Sequence, residues 1–378
     1  MLDGLFEYFF EHYSILNDKQ RKKIKGLTTV FLVFGFCVLF GFVSMMMSHR
    51  DTEKARWEKN LSGVELYKAD MLPISQNATK VLTGTYVETI DNLDMAHGNY
   101  WVKFLVWFRW DGDEISDLAH NFRIYRGIIK NRDIVKDVKQ DNTHYQLVRV
   151  DAIVSSSFHS ELFPLESHQL YFYVEPNYTA KRVVLVADKE ESNLNRHFSV
   201  EGFKVTQSAV ASVPYEYRST RGDITLKDVD KNIVSELVTA IKIERDGFGL
   251  YAKCFICLFG CIIWALLALY INIYHHVDPL ELLPEALFGC IANIMVGASL
   301  LPEALEMGLL EYVNIWGLFI ILMIALIIIN VNQIRKEERT GGGISWFAAI
   351  YGRIMFFTIT FFAIAGNIIL PASAYFSR

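Results

Sequence analysis

The sequence predicts an α+β membrane protein: a water-facing β-sandwich followed by a four-helix transmembrane domain, with one further transmembrane helix near the N-terminus. Three observations carry this. The 378 residues are 52% hydrophobic and only 21% charged, too apolar for an ordinary soluble chain. The apolar excess is gathered into five segments, 27–47, 249–274, 282–301, 312–332 and 344–370, each near the roughly 20 residues that span a bilayer. Between the first and second of these, residues 48–246 hold most of the charge and alternate with period two.

Residues 1–26 end in Asp18-Lys-Gln-Arg-Lys-Lys-Ile-Lys25, a basic flank that stays cytoplasmic. Segment 27–47 is too long for a signal-peptide core and has no small-residue cleavage site, so it reads as a retained anchor. The large domain then faces outward, into the periplasm of a bacterial cell, and the chain is a multi-pass protein of the inner (plasma) membrane. The connection 333–343, with Arg335, Lys336 and Arg339, falls inside, as the charge rule requires. Residues 1–18, with Leu2, Leu5, Phe6, Phe9 and Phe10, read equally as an amphipathic helix on the inner leaflet or as a docking segment.

In the outer domain, Tyr100, Val102, Phe104, Val106 and Phe108 recur with period two over Tyr100–Trp110, so they line one face of a strand. Turn residues at Asp91–Asp94, Gly98-Asn99 and Asp111-Gly112 break the pattern. Further strands are predicted at 122–129, 145–157, 168–175, 181–187, 198–213 and 232–245. Short alternating strands over this length make a sandwich.

Several function classes are disfavoured. A net charge of -5 with no basic cluster interleaved with aromatics gives no nucleic-acid signal. All five cysteines, Cys37, Cys254, Cys257, Cys261 and Cys290, lie in apolar segments, so no disulfide is expected in the outer domain. Cys254, Cys257 and Cys261 have helical spacing, yet no His or Asp joins them, and they read as small buried hydrophobes rather than metal ligands. The chain has no phosphate loop and no nucleophile elbow, so neither an enzyme nor a cofactor is expected.

One segment is more specific. Glu161-Leu-Phe-Pro-Leu-Glu-Ser-His-Gln-Leu-Tyr-Phe-Tyr-Val-Glu-Pro176 resembles the signature loop of pentameric ligand-gated ion channels, without the flanking cysteines that bacterial members also lack. Val87–Asp94 with Tyr100–Trp110 resembles the family's first hairpin, Ile243-Glu-Arg-Asp246 its junction into the first pore-domain helix, and Leu301-Pro302 leading to Glu311–Trp316 its loop between the second and third helices. The resemblance covers roughly residues 80–370 in order. It departs at Gly247, where the family has proline, at the span 27–47, and at Pro284. It implies a homopentamer in a lipid bilayer, with 48–246 as ligand-binding domain and 247–378 as pore domain.

The resemblance makes 280–301 the pore-lining helix, with Asp278 at the inner mouth. Independently, Glu281, Glu285, Phe288, Ala292, Met295 and Ser299 recur in steps of four and three, one helical stripe. Intramembrane carboxylates usually face a water-filled path. In five copies, Glu281 and Glu285 form rings about 6 Å apart along the axis, which attract permeant cations, and Phe288, Ala292 and Met295 are the gate positions. In a second reading Pro284 opens the helix, Glu285 occupies its first turn and Glu281 lies in a solvated loop.

The resemblance also implies an agonist site between subunits, using the loop 214–231 with Tyr215 and Tyr217 and the loop Glu175-Pro-Asn177-Tyr178. An acid beside aromatic faces suits an organic ammonium; tyrosines beside a strand are otherwise packing residues. His159 and His168 bracket the signature loop and make protons an alternative agonist. Glu166 and Arg245 correspond to the family's buried ion pair, which couples the sandwich to the loop at Pro302. The competing expectation is a receptor or scaffolding subunit of the same fold that does not conduct.

Overall fold

The computed structural model describes residues 13, 16–61, 77–95, 97–115, 117–158, 161–220, 222, 232–300, 307–340 and 346–377. The chain divides into two units, one of residues 51–159 and 166–246, the other of residues 1–50, 160–165 and 247–378.

The first unit is a β-sandwich. One sheet has the order β4-β5-β2-β1-β7, formed by β1 (Thr79–Asp94), β2 (Asn99–Asp111), β4 (Gly127–Gln140), β5 (Thr143–Ser155) and β7 (Val183–Ala187), with the short β8 (Asn193–Leu194) also paired to β1. The other has the order β3-β6-β10-β9, from β3 (Phe122–Tyr125), β6 (Ser167–Pro176), β9 (Phe203–Tyr217) and β10 (Asn232–Arg245). Alternation fixes which side chains meet: Tyr100, Val102, Phe104, Val106 and Phe108 are all fully buried on one face of β2. Phe104 meets Phe172 of the opposite sheet at 4.6 Å between ring centroids, and Phe108 meets Phe122 at 5.4 Å. Fully burying each such ring contributes about 1.5–3 kcal/mol. Tyr100 is buried with its polar end satisfied, its hydroxyl donating to the Tyr171 carbonyl at 2.9 Å.

Two strands differ from expectation. β4 runs to Gln140, where only 122–129 was expected, because Lys130–Gln140 is polar and almost wholly exposed at the sheet edge. It has no buried face, and so no apolar period to read. β9 runs to Tyr217, four residues past its expected end. Pro214 does not stop it, since β9 is itself an edge strand and an edge tolerates a missing donor.

In the second unit, among the described residues, four helices are long and apolar enough to cross a membrane. These are the Asp18–Ser48 part of α1 (Asp18–Leu61), α2 (Gly249–His275), most of α4 (Leu309–Thr340) and α5 (Trp346–Ser377). The expected fifth span is α3 (Leu283–Leu300), of 18 residues, preceded by a 3-10 turn at Leu280–Leu282; side chains 296–300 lie outside the described residues. Helix α1 extends well past the expected 27–47 at both ends, because its charged flanks are rich in Lys, Arg and Glu, which are good helix formers.

The core of this unit is a stripe on α4, where Trp316, Ile320, Ile324, Ile327 and Val331 are buried against Phe255, Leu258 and Leu269 of α2 and Tyr351, Met355 and Phe362 of α5. Gly366 lets α5 approach the Trp316 indole, since a Cβ there would lie 2.0 Å from Nε1. Helix α1 packs along the side of this core, burying Ile24, Leu39 and Met46 in it: Phe36 meets Phe362 at 5.2 Å and Phe42 stacks on Tyr312 at 4.8 Å, while Phe34, Phe36 and Phe40 stay more than half exposed. The tip of the expected signature loop belongs to this unit too. Phe163 and Leu165 are buried in its core, and the Leu309 N–H donates to the Glu161 carbonyl at 2.6 Å.

Candidate functional site

In the sandwich, β3, β6, β9 and β10 carry a polar cluster. Glu175 has its side chain 2% exposed, and both carboxylate oxygens are engaged: Arg123 Nη2 donates to Oε1 at 2.5 Å and the Tyr217 hydroxyl to Oε2 at 2.6 Å. Arg123 Nη2 also donates to the Tyr217 oxygen at 2.9 Å. Tyr215 packs against Tyr217 at 4.7 Å and Tyr125 at 5.3 Å, with the Tyr125 and Tyr215 hydroxyls 3.3 Å apart. Tyr173 meets Tyr125 edge-on at 6.0 Å.

Glu236 of β10 completes the cluster. It is 2% exposed, and its Oε1 has no hydrogen-bond partner. Burial, and next the negative charge of Glu175, push its carboxyl up to about 8, with Arg123 opposing. The cluster therefore holds one paired carboxylate, one carboxyl kept neutral near pH 7, and a wall of four tyrosines. Such a wall accepts a cation on its faces, and the unpartnered carboxyl oxygen is an acceptor for it.

Of the residues expected to bind ligand, Glu175, Tyr215 and Tyr217 are brought together. Asn177 and Tyr178 are not among them. Asn177 is exposed beyond β6, its N–H donating to the Asn121 carbonyl at 2.9 Å, and Tyr178 packs on the sandwich core with Arg182 stacked on its ring at 4.8 Å. Sequence reasoning missed Glu236, Arg123, Tyr125 and Tyr173. Glu236 had a signal, as the lone acid within the otherwise uncharged run Ile233–Ile241. Arg123 had none, since only the pairing of β3 with β6 places it opposite Glu175.

Glu166 and Arg245 meet as an ion pair, and the Arg245 guanidinium also lies 4.0 Å over the Phe203 ring. Pro302 and His159 lie outside the described residues. His168 is 4% exposed between Phe158 and Phe203.

On α3, Glu285, Phe288, Ala292 and Met295 are exposed, Phe288 by 68% and Met295 by 70%. The opposite face, Leu283, Ala286, Cys290 and Asn293, is buried. Asn293 Nδ2 donates to Asn314 Oδ1 of α4 at 2.8 Å, which fixes the rotation of α3 on its neighbour. Pro284 is the second residue of α3, where its missing N–H has no partner to lose. Glu285 accordingly occupies the first turn, and Glu281 lies in the 3-10 turn rather than in a continuous α-helical stripe. Asp278 is exposed, its Oδ1 accepting the Leu280 N–H at 3.3 Å. The link before it is fixed from α2 and α4. Asn272 Nδ2 donates to the Val277 carbonyl at 3.0 Å and to Asn332 Oδ1 at 2.9 Å, and Arg335 Nη2 donates to the Asn272 carbonyl at 2.6 Å.

Compared with models of protein families and with curated proteins, the chain matches none.

Proposed function

We propose that this protein is one subunit of a cation-conducting, ligand-gated channel built from five copies, anchored by α1 and carrying its sandwich outside the plasma membrane. The observation that carries the reading is the exposed line Glu285, Phe288, Ala292 and Met295 on a helix whose other face is held by α2 and α4. Five such helices around an axis set carboxylates at the start of a water-filled path and large apolar side chains along it, an arrangement that attracts cations and closes by dewetting. The resemblance of Glu161–Pro176 and Ile243–Asp246 to the pentameric channels supports the same reading.

The agonist in this reading is a small organic ammonium or the proton. The cluster around Glu236 supports both, because one buried acceptor faces a tyrosine wall and the same group titrates near neutral pH. Glu175 is already engaged by Arg123 and Tyr217, so it positions the wall while Glu236 receives the ligand. The pair Glu166–Arg245 carries the signal out of the sandwich. The test is recording from purified protein in planar bilayers under a KCl gradient, with primary alkylamines and with pH steps on the outer side. Agonist-evoked unitary currents reversing near the K+ potential are expected. A correctly assembled protein that stays silent under both stimuli would instead be the non-conducting receptor.

A further inference from the structure

A cavity of about 300 Å3 lies at one side of the sandwich, lined from β1, β8, β9 and β10 and by Leu61 at the end of α1. Its most buried lining residues are Thr85 of β1 and Thr239 of β10, 1% and 2% exposed, with their hydroxyl oxygens 2.8 Å apart. Each hydroxyl has one hydrogen to donate and two lone pairs to accept with. The bond between them uses one hydrogen, and among the described residues the other meets no acceptor. Ser192 is differently placed: its Oγ donates to the Asp188 carbonyl at 2.5 Å and accepts the Thr85 N–H at 3.2 Å. Trp107 Nε1 donates to Asp188 Oδ2 at 3.2 Å, so the turn that carries Lys189 and Asn193 is tied to the sheet as one wall. The edge strand β9 is the other wall. It pairs with β10 alone, so alternate residues of 208–211 turn their backbone N–H and C=O groups away from the ladder.

These features select a ligand with two unlike ends. A buried hydroxyl pair with a hydrogen left to donate and lone pairs left to accept is completed by a group that does both, a hydroxyl. Lys189 is exposed and is the single charged residue among the described lining residues, so an anionic group beside it stays partly hydrated and is cheap to hold. Leu61, Leu194 and Val210 offer aliphatic surface, and no aromatic ring is among the described lining residues, which suits a methylene chain rather than a flat ring. The volume falls at the small end of the roughly 300–1,000 Å3 of small-molecule sites. We propose that this cavity binds a short aliphatic hydroxycarboxylate, its hydroxyl on the Thr85–Thr239 pair and its carboxylate at Lys189. This site is separate from the one assigned to the agonist, and its occupancy does not depend on whether the protein conducts.

The test is titration calorimetry of the full-length, detergent-solubilised protein with δ-hydroxyvalerate, against valerate, which lacks the hydroxyl, and δ-hydroxyvaleramide, which lacks the charge. Saturable binding of δ-hydroxyvalerate at one site per chain is expected, with each of the other two about fivefold weaker or more, the scale of one lost hydrogen bond. The double substitution T85V/T239V should bring δ-hydroxyvalerate down to the affinity of valerate. It should leave the melting temperature close to the parent's, because both partners of the pair are replaced by apolar groups of the same shape. K189Q, at an exposed position, should weaken both acids about fivefold and leave the amide as it was. The substitution Y217F, at the agonist cluster, should change none of the three affinities. Absence of δ-hydroxyvalerate binding, a preference over valerate that survives in T85V/T239V, affinities for both acids that are untouched by K189Q, or binding lost in Y217F would each overturn the proposal.

Discussion

Arg245 holds Glu166 through both side chain and backbone. Its Nε donates to Glu166 Oε1 at 3.0 Å, and its backbone N–H donates to the Glu166 carbonyl at 3.0 Å. The Glu166 side chain is 1% exposed, whereas Arg245 reaches solvent at 17%. Removing the arginine leaves a carboxylate buried without its charge partner, a loss of about 3–5 kcal/mol for such pairs. The substitution R245A should therefore lower the melting temperature of the purified protein markedly and abolish agonist-evoked current. R245K keeps the charge but not the fork, and should fall between. Thermal unfolding followed by size-exclusion chromatography checks it; a melting temperature within a degree of the parent's would remove the pair from any coupling role.

Glu236 makes stability depend on pH. Its carboxyl is raised from 4.5 to about 8 in the folded protein, so between these values the native state holds a proton that the unfolded chain has released. By linkage, stability then falls as pH rises through that window: the contribution is whole below pH 4.5 and gone above about 8. The charged and titratable groups facing it are Glu175, Arg123, Tyr173, Tyr215 and Tyr217. E236Q stays neutral at every pH. Melting temperatures measured from pH 5 to 9 should decline less for E236Q than for the parent, with E236Q the more stable above pH 8. Parallel curves would show that Glu236 ionises normally.

What was legible in the sequence followed from burial. β2 could be read because Tyr100 to Phe108 bury one face and expose the other, and the helical unit because its helices are apolar for their whole width. β4 could not, since an edge strand with two exposed faces has no pattern. The polar cluster was half legible. Glu175, Tyr215 and Tyr217 stand out by chemistry and by resemblance, but Arg123 and Tyr125 reach them only through strand pairing across 52 and 90 residues of chain. Pro284 was the decisive local signal on α3, and its weight lay with the reading that opens the helix there: α3 begins at Leu283.

Gly308 allows the loop 161–165 to lie against the start of α4. A Cβ at this position would stand 2.3 Å from the Glu161 carbonyl oxygen and 2.7 Å from its Cα, both backbone atoms that no rotamer change can move. G308A should break the bond from the Leu309 N–H to Glu161 and loosen Phe163 and Leu165 from the core, at about 1–3 kcal/mol for overpacking. The control is Gly41 in α1, whose added Cβ meets nothing within 4 Å. Unfolding of both variants in one detergent checks the contrast: G308A several degrees below the parent, G41A at or above it. Equal melting temperatures would mean that the loop is not held here.

In the proposed channel, selectivity should rest on Glu285 more than on Glu281, and the reason is helix geometry. Glu285 is carried by the first turn of α3, where the backbone is rigid and the helix dipole favours an acid. Glu281 belongs to the 3-10 turn, a looser carrier. In five copies, E285Q removes five fixed charges from one ring, and the field that concentrates cations there falls most at low ionic strength, where screening is weakest. Under a KCl gradient the reversal potential of E285Q should move toward zero, unitary conductance should drop more in 20 mM than in 500 mM salt, and E281Q should show the smaller change of each. Loss of the dipole interaction itself amounts to about 0.3–1 kcal/mol, so the variant remains folded and its currents measurable. If the double substitution E281Q/E285Q leaves reversal potential and conductance as they were, the carboxylates of α3 do not face the ions, and another helix lines the path.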